Sequence, residues 1–213
     1  MGTVKSLLLG MCFVLGACTS QTSTVQTTEK GTQWEWQNGT IVVKTPERPA
    51  GQKSVLGLTT PKLEAVRVGF VGLGMRGPGA VERFTYIPGT QVVALCDYEE
   101  ARADKCQELL KKASMPKAAV YSGDKGYEEL CKRDDIDLVY IAADWLHHFP
   151  VAKCALENGK NVAIEVPSAM NLQECWDLIN LSESTRKHCF ILENCCYCLL
   201  YTSPSPRDYA ASR

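Results

Sequence analysis

The sequence lacks a charge imbalance and an excess of turn-forming residues. Its 213 residues carry 23 basic and 24 acidic side chains, so no long-range field attracts nucleic acid, which is therefore not an expected partner. Glycine and proline number only 16 and 10, which excludes collagen-like and low-complexity architectures. With 45% hydrophobic residues, the chain has material for one globular domain plus an appendage.

Cysteine is frequent but lacks the spacing of a metal site. Eleven cysteines are present, and only Cys195 and Cys198 stand at CxxC spacing. A structural zinc site needs four ligands, so one pair predicts no metal. Most of the other cysteines fall on predicted buried faces, where thiols behave as small hydrophobic side chains.

Residues 1–18, MGTVKSLLLGMCFVLGAC, have the layout of a secretory signal peptide. Their apolar run, residues 7–15, is shorter than the roughly 20 residues that span a bilayer. The last four residues resemble a bacterial lipobox, which implies that Cys18 is diacylated and anchors the protein to a membrane. We therefore expect an exported bacterial lipoprotein of the periplasm or outer membrane. A plain signal peptide and a chance apolar start are the alternatives.

Two further segments flank the predicted domain. Residues 19–64 predict a flexible tether rich in Thr, Gln and Ser, followed by an N-terminal arm with a short strand near residues 34–44. Residues 198–213, CLLYTSPSPRDYAASR, have no periodicity and resemble translated sequencing-adapter DNA. We expect this tail to be non-native and the natural chain to continue after Tyr197. A native disordered tail is the alternative.

A glycine-rich turn follows the first apolar run of the predicted domain. Residues 65–72, AVRVGFVG, predict a strand that leads into Gly72, Gly74 and Gly77 at GxGxxG spacing and then into a helix. The first glycine of such a turn makes the tight bend, and the second lets the backbone approach a pyrophosphate. The third lets the helix pack closely on the strand.

An acidic residue stands where this motif needs one. Residues 91–96, QVVALC, predict a second buried strand, and Asp97 follows it about twenty residues after the glycine turn. A carboxylate there accepts hydrogen bonds from the adenosine ribose and repels a 2′-phosphate. The pattern predicts a dinucleotide site that takes NAD rather than NADP. A cofactor-free fold is the alternative.

The rest of the chain alternates between helices and strands. Helices are predicted at 99–113, 126–133, 148–158 and after Asn171, and strands at 137–142, 161–165 and 189–193. Apolar strands that alternate with helices predict a parallel sheet covered on both faces. The fold class is therefore α/β, a Rossmann-type doubly wound parallel sheet over residues 65–197.

Three runs carry a resemblance to a known family: GFVGLGMRGPGAVERFTYIPGTQVVALCD, ADWLHHFPVAKCALENGKNVAIEVPSAM and ILENCCY. They resemble the Gfo/Idh/MocA oxidoreductases and, within them, glycoside hydrolase family 109, the NAD-dependent alpha-N-acetylgalactosaminidases. The resemblance covers about residues 48–197. It implies that a C-terminal α+β substrate domain is missing, and that the substrate is a glycan with N-acetylgalactosamine. The oligomeric state stays open.

The resemblance also implies which residues form the site. The cofactor-binding positions are Gly72, Gly74, Met75, Arg76, Gly77, Asp97, Trp145, Leu146, His147, His148, Glu165, Val166 and Asn194. Tyr197 and His148 are candidate catalytic bases, although the family places its base mostly in the second domain. The alternatives are that Trp145 serves packing and that the two histidines are solvated loop residues.

Val166 separates two kinds of enzyme. Dehydrogenases of the larger family have EKP here, whose lysine helps a substrate hydroxyl lose its proton, and the Val166 side chain cannot transfer one. The resemblance implies a glycosidase that oxidises C3 of the sugar, eliminates the aglycone, adds water and reduces C3 again. A sugar dehydrogenase and a noncatalytic dinucleotide-binding module are the alternatives. We expect the chain as it stands to bind NAD weakly without turnover.

Overall fold

The computed structural model describes residues 26–27 and 33–193, which fall into two units divided between Lys44 and Thr45. Several predictions concern other residues. The signal peptide, Cys18, Asn194, Tyr197 and the tail at 198–213 lie outside the described residues.

The first unit is a three-stranded antiparallel sheet. Its strands are β1 (Gln26–Thr27), β2 (Gln33–Gln37) and β3 (Thr40–Val43), in the order β1-β2-β3. Asn38 and Gly39 connect β2 to β3 with φ angles of 49° and 77°. Two-residue hairpin turns favour Asn-Gly because both positions need a positive φ. The segment predicted to form one short strand, residues 34–44, thus holds nearly the whole hairpin, and part of the predicted tether forms a third strand.

The second unit, as far as the structure describes it, is a six-stranded parallel sheet with five helices. Its strands are β4 (Val66–Val71), β5 (Thr90–Asp97), β6 (Ala119–Ser122), β7 (Leu138–Ile141), β8 (Asn161–Ile164) and β9 (Cys189–Ile191). Its helices are α1 (Gly77–Thr85), α2 (Glu100–Lys112), α3 (Gly126–Cys131), α4 (Trp145–Glu157) and α5 (Leu172–Thr185). The strand order is β6-β5-β4-β7-β8-β9, and every pairing is parallel. The predicted Rossmann-type sheet is confirmed.

Each face of this sheet carries its own apolar core. Successive strand residues point to opposite faces, so Val139 and Ile141 of β7 join one core and Tyr140 joins the other. Helices α1 and α2 cover the core that contains Tyr140, and α3, α4 and α5 cover the other. A fully buried side chain such as Leu110 of α2 contributes about 1.5–3 kcal/mol.

Two elements differ from the sequence prediction. Strand β6 was not predicted because its four residues, AVYS, are too few to show a period. Helix α4 begins at Trp145 and not at His148, because the side chain of Asp144 caps it by accepting a hydrogen bond from the Leu146 amide at 3.0 Å. The predicted cap of α5 is confirmed, since Asn171 accepts from the Glu174 amide at 3.0 Å.

Residues 45–64, predicted as part of the arm, belong to the unit of the parallel sheet and contact α5. Arg48 donates two hydrogen bonds to the carboxylate of Glu183, at 2.8 and 3.0 Å, and Gln52 donates a third at 2.9 Å. Glu183 is buried, so these donors replace the water that its charge would otherwise need. Within residues 33–193, no helix is both long and apolar enough to cross a membrane.

Candidate functional site

A cleft of about 470 Å³ lies at the carboxyl ends of the central strands. Val71 at the end of β4 pairs with Cys96 of β5 and with Ile141 of β7, so these strand ends meet at one edge. The strand order reverses between β4 and β7, which is where open α/β sheets bind ligands. The predicted site residues that line the cleft are Gly72, Gly74, Met75, Arg76, Asp97, Trp145, His147, His148, Glu165 and Val166.

The glycine turn has the shape that a dinucleotide requires. Gly72 has a φ of +90°, and a Cβ there would collide with the backbone that follows β7. A Cβ on Gly77 would collide with the carbonyl oxygen of Gly72. A Cβ on Gly74 would meet only the guanidinium of Arg102, at 3.6 Å, so the space beside Gly74 is open. Two glycines therefore permit close packing and one permits a phosphate to approach, which fits NAD.

The first turn of α1 adds to this phosphate site. The helix begins at Gly77, directly after the glycine turn, and Arg76 at its N-cap position makes no capping hydrogen bond with its side chain. Uncapped amides and the positive end of the helix dipole together favour an anion. Gly77 itself does not line the cleft, because its role is to bring α1 close to β4.

Asp97 is held rigidly at the end of β5. Its carboxylate is buried, 6% exposed, and one oxygen accepts from the Leu73 amide at 2.6 Å. The other oxygen accepts from the Glu99 amide at 2.9 Å and from Arg102 at 3.4 Å. A carboxylate offers about four acceptor sites, which leaves one for a ribose hydroxyl.

Asp144 and His147 form a pair at the first turn of α4. Asp144 accepts from His147 Nδ1 at 2.6 Å while it caps the helix with its other oxygen. Burial raises the pKa of Asp144, but the hydrogen bond and charge of His147 outweigh it and bring the pKa below its usual value. Because Nδ1 donates to Asp144, the acceptor nitrogen of a neutral His147 ring is Nε2.

His148 has a different position from its neighbour. The ring is 1% exposed, and its Nδ1 lies 2.7 Å from the Pro167 carbonyl oxygen and its Nε2 lies 2.9 Å from that of Ala143. Both nitrogens therefore face the backbone that follows β7 and β8, and a neutral ring donates to one of the two carbonyl oxygens. The structure does not support the predicted role of His148 as a base, because no ring nitrogen is left to reach a substrate.

Glu165 is oriented by a tyrosine that sequence analysis missed. The Tyr140 hydroxyl donates to Glu165 Oε1 at 2.8 Å, and both side chains are buried. Burial, followed by the hydrogen bond to Glu165, raises the pKa of Tyr140 to about 12. The Tyr140 ring stacks on Phe70 with centroids 5.1 Å apart. Next to Glu165, Val166 is 37% exposed at the cleft.

Among the other residues that line the cleft, five charged or aromatic ones were not predicted as site residues. They are Tyr98, Arg102, Asp124, Tyr127 and Asp144. Asp124 and Tyr127 follow β6, so the missed strand concealed them. The Asp before an apolar helix was a usable N-cap signal for Asp144. Leu146, predicted in the site, does not line the cleft and is 74% exposed. The described residues contain no cluster of metal-ligating side chains.

Comparison with known proteins gives three findings. Residues 66–192 match the Gfo/Idh/MocA family, described as "Oxidoreductase family, NAD-binding Rossmann fold". A glycosyl hydrolase family 109 protein of Phocaeicola vulgatus is 80% identical over 198 residues, which is 92% of this chain and 38% of the relative. One of Bacteroides thetaiotaomicron is 57% identical over 195 residues, 91% of this chain and 40% of the relative. The chain thus spans about two fifths of these relatives, from 38% to 40%.

A solved structure shows the same fold. The myo-inositol dehydrogenase of Lactobacillus casei, in complex with NAD(H) and myo-inositol, superposes with a TM-score of 0.53 at 24% identity. The match covers 60% of this chain and 36% of that one.

Proposed function

The chain belongs to the Gfo/Idh/MocA oxidoreductase family of NAD-binding Rossmann folds, and from this premise we propose that it is the cofactor-binding part of a glycosidase. NAD, predicted from the glycine turn and Asp97, is the cofactor of this family. The proposed substrate is a glycan with N-acetylgalactosamine. The proposed reaction oxidises the sugar at C3, eliminates the aglycone, adds water and reduces C3 again, with no net oxidation.

The residues of the cleft would hold the cofactor along its length. The open backbone at Gly74 and the first turn of α1 would bind the pyrophosphate. Asp97 would accept a hydrogen bond from the adenosine ribose. Glu165 and His147, each oriented by a hydrogen-bonded neighbour, would bind the other end. When bound, NAD supplies a reversible hydride acceptor.

The observation that carries the proposal is Val166 at the cleft, beside Glu165. An alkyl side chain there cannot take a proton from a substrate hydroxyl, so the position does not assist a simple dehydrogenation. The relatives named as glycosyl hydrolases support the same choice. Net dehydrogenation stays the second candidate, because the Asp144–His147 pair places an imidazole acceptor at the same cleft.

The test uses a version extended to the length of the relatives. We expect it to release phenol from an aryl alpha-N-acetylgalactosaminide while no NADH accumulates. The Asp97→Ala variant serves as the control, and its phenol release should fall at least tenfold because the ribose loses its acceptor. NADH formed in step with sugar consumption would indicate the dehydrogenase. NAD binding with neither reaction would indicate a noncatalytic module.

A further inference from the structure

The ion pair between Arg102 and Glu99, just after β5, has no role in the proposed function. Arg102 places Nη1 at 3.4 Å from Asp97 Oδ1 and Nη2 at 2.9 Å from Glu99 Oε1. Its guanidinium lines the cleft, and Nη1 would lie 3.6 Å from a Cβ on Gly74. The positive charge of Arg102 therefore lies between the glycine turn and Asp97, the acid proposed to bind the ribose.

The local backbone fixes this arrangement. The Glu99 amide donates to Asp97 Oδ1 at 2.9 Å, and Glu99 is the N-cap residue of α2. The Arg102 amide donates to the Glu99 carbonyl at 3.0 Å in the first turn of that helix. Residues three apart on a helical turn are neighbours, so Glu99 and Arg102 meet without reaching across the cleft.

The pair matters because of what guanidinium groups bind. The planar fork of arginine matches the oxygens of a phosphate, and an arginine near the ribose is what accommodates the 2′-phosphate of NADP. Here Asp97 and Glu99 together carry two negative charges against the single positive charge of Arg102. Both terminal nitrogens of the guanidinium, Nη1 and Nη2, contact carboxylates of the protein itself.

We propose that Glu99 sets the preference for NAD over NADP, because its ion pair withholds Arg102 from a ribose 2′-phosphate. This inference rests on the proposed dinucleotide site in the cleft. Asp97 holds Arg102 only through a long contact of 3.4 Å, so without Glu99 the guanidinium could turn to a 2′-phosphate and offset the repulsion from Asp97. The ion pair with Glu99 keeps the guanidinium of Arg102 from doing so. Because 58% of the Glu99 side chain is exposed, its neutral isostere disturbs no packing.

The test is the Glu99→Gln variant of the 213-residue chain, titrated with NAD+ and with NADP+ by isothermal calorimetry at low ionic strength. We expect NADP+ to bind at least fivefold more tightly than to the parent, while the affinity for NAD+ changes less than twofold. Added salt should reduce the gain, since it screens the exposed phosphate contact.

Two controls separate this explanation from others. Glu100→Gln removes the same charge one residue along α2, where the structure records no contact with Arg102, and should leave NADP+ binding unchanged. Glu99→Gln combined with Arg102→Gln should lose the gain. The inference is overturned if Glu99→Gln gains nothing, or if Glu100→Gln gains as much. A parent chain that binds neither nucleotide would overturn the cleft as the dinucleotide site, and the inference with it.

Discussion

The two sides of the cleft are built in different ways. On the β5 side, which comprises the glycine turn and the end of β5, backbone groups make the site, and Asp97 is fixed by the Leu73 and Glu99 amides. On the β8 side, which comprises the ends of β7 and β8 and the first turn of α4, side chains fix one another, as Tyr140 fixes Glu165. Backbone geometry demands particular residues at particular spacings, whereas side-chain pairs can be made by many sequences.

The largest expected effect lies on the β5 side, at Gly72. In Gly72→Ala, the added methyl group would collide with the backbone after β7 and the residue would keep a φ of +90°. We expect a loss of about 4 kcal/mol in the free energy of unfolding, measured by urea denaturation. A loss below about 1 kcal/mol would contradict the tight turn.

Gly74→Ala is the matched control for this variant. The new methyl group has open space apart from Arg102, so stability should change by less than about 1 kcal/mol. The affinity for NADH should nevertheless fall about tenfold, because the methyl group occupies the place of the pyrophosphate. Quenching of tryptophan fluorescence by NADH measures this loss.

The next largest expected effect is on the β8 side, at Tyr140, and it concerns how stability depends on pH. The pKa of Tyr140, about 12 in the folded state, exceeds the ordinary tyrosine value of 10.0, so folding favours the protonated phenol. The stability that the protonated Tyr140 adds to the folded state is complete below pH 10 and is lost as the pH rises towards 12. A pKa difference of about two units corresponds to a change of about 2–3 kcal/mol in the free energy of unfolding.

Tyr140→Phe should abolish this dependence. The advantage of the parent over the variant in unfolding free energy should therefore shrink between pH 9 and pH 11, which urea denaturation at both values measures. The variant also leaves Glu165 Oε1 without its donor, which lowers stability at pH 7 by about 1–2 kcal/mol. Equal slopes for parent and variant would refute the proposed hydrogen bond to the neutral phenol.

The smallest effect is at Asp144. Asp144→Ala removes the helix cap and should cost about 1 kcal/mol. Asp144→Ser keeps a capping oxygen and loses only the exposed pair with His147, so its cost should stay below about 0.5 kcal/mol. Thermal unfolding of both variants checks the order. A serine variant as unstable as the alanine variant would show that the His147 contact, not the cap, stabilises this turn.

The same contrast explains how much could be predicted from the sequence. The glycine turn, Asp97 and the alternation of apolar strands with helices follow from spacing and from apolar periodicity, and the structure confirms the Rossmann-type sheet. The short strand β6 does not follow from them. Tyr140 could not be found in this way, because its partner Glu165 lies 25 residues away and on another strand. His147 and His148 are adjacent in sequence, and only coordinates show that one is half-exposed and the other enclosed.

The ring of His148 joins the two loops that follow β7 and β8, because it contacts a carbonyl oxygen of each. A neutral imidazole donates through one nitrogen only, so one of these contacts is a buried hydrogen bond and the other is a packing contact. The two loops and the ring between them form one wall of the cleft. Opposite that wall, Met75 and Tyr98 are 94% and 71% exposed and have little packing to restrain them. We therefore expect a bound nucleotide to displace these exposed side chains and to leave the enclosed ring of His148 in place.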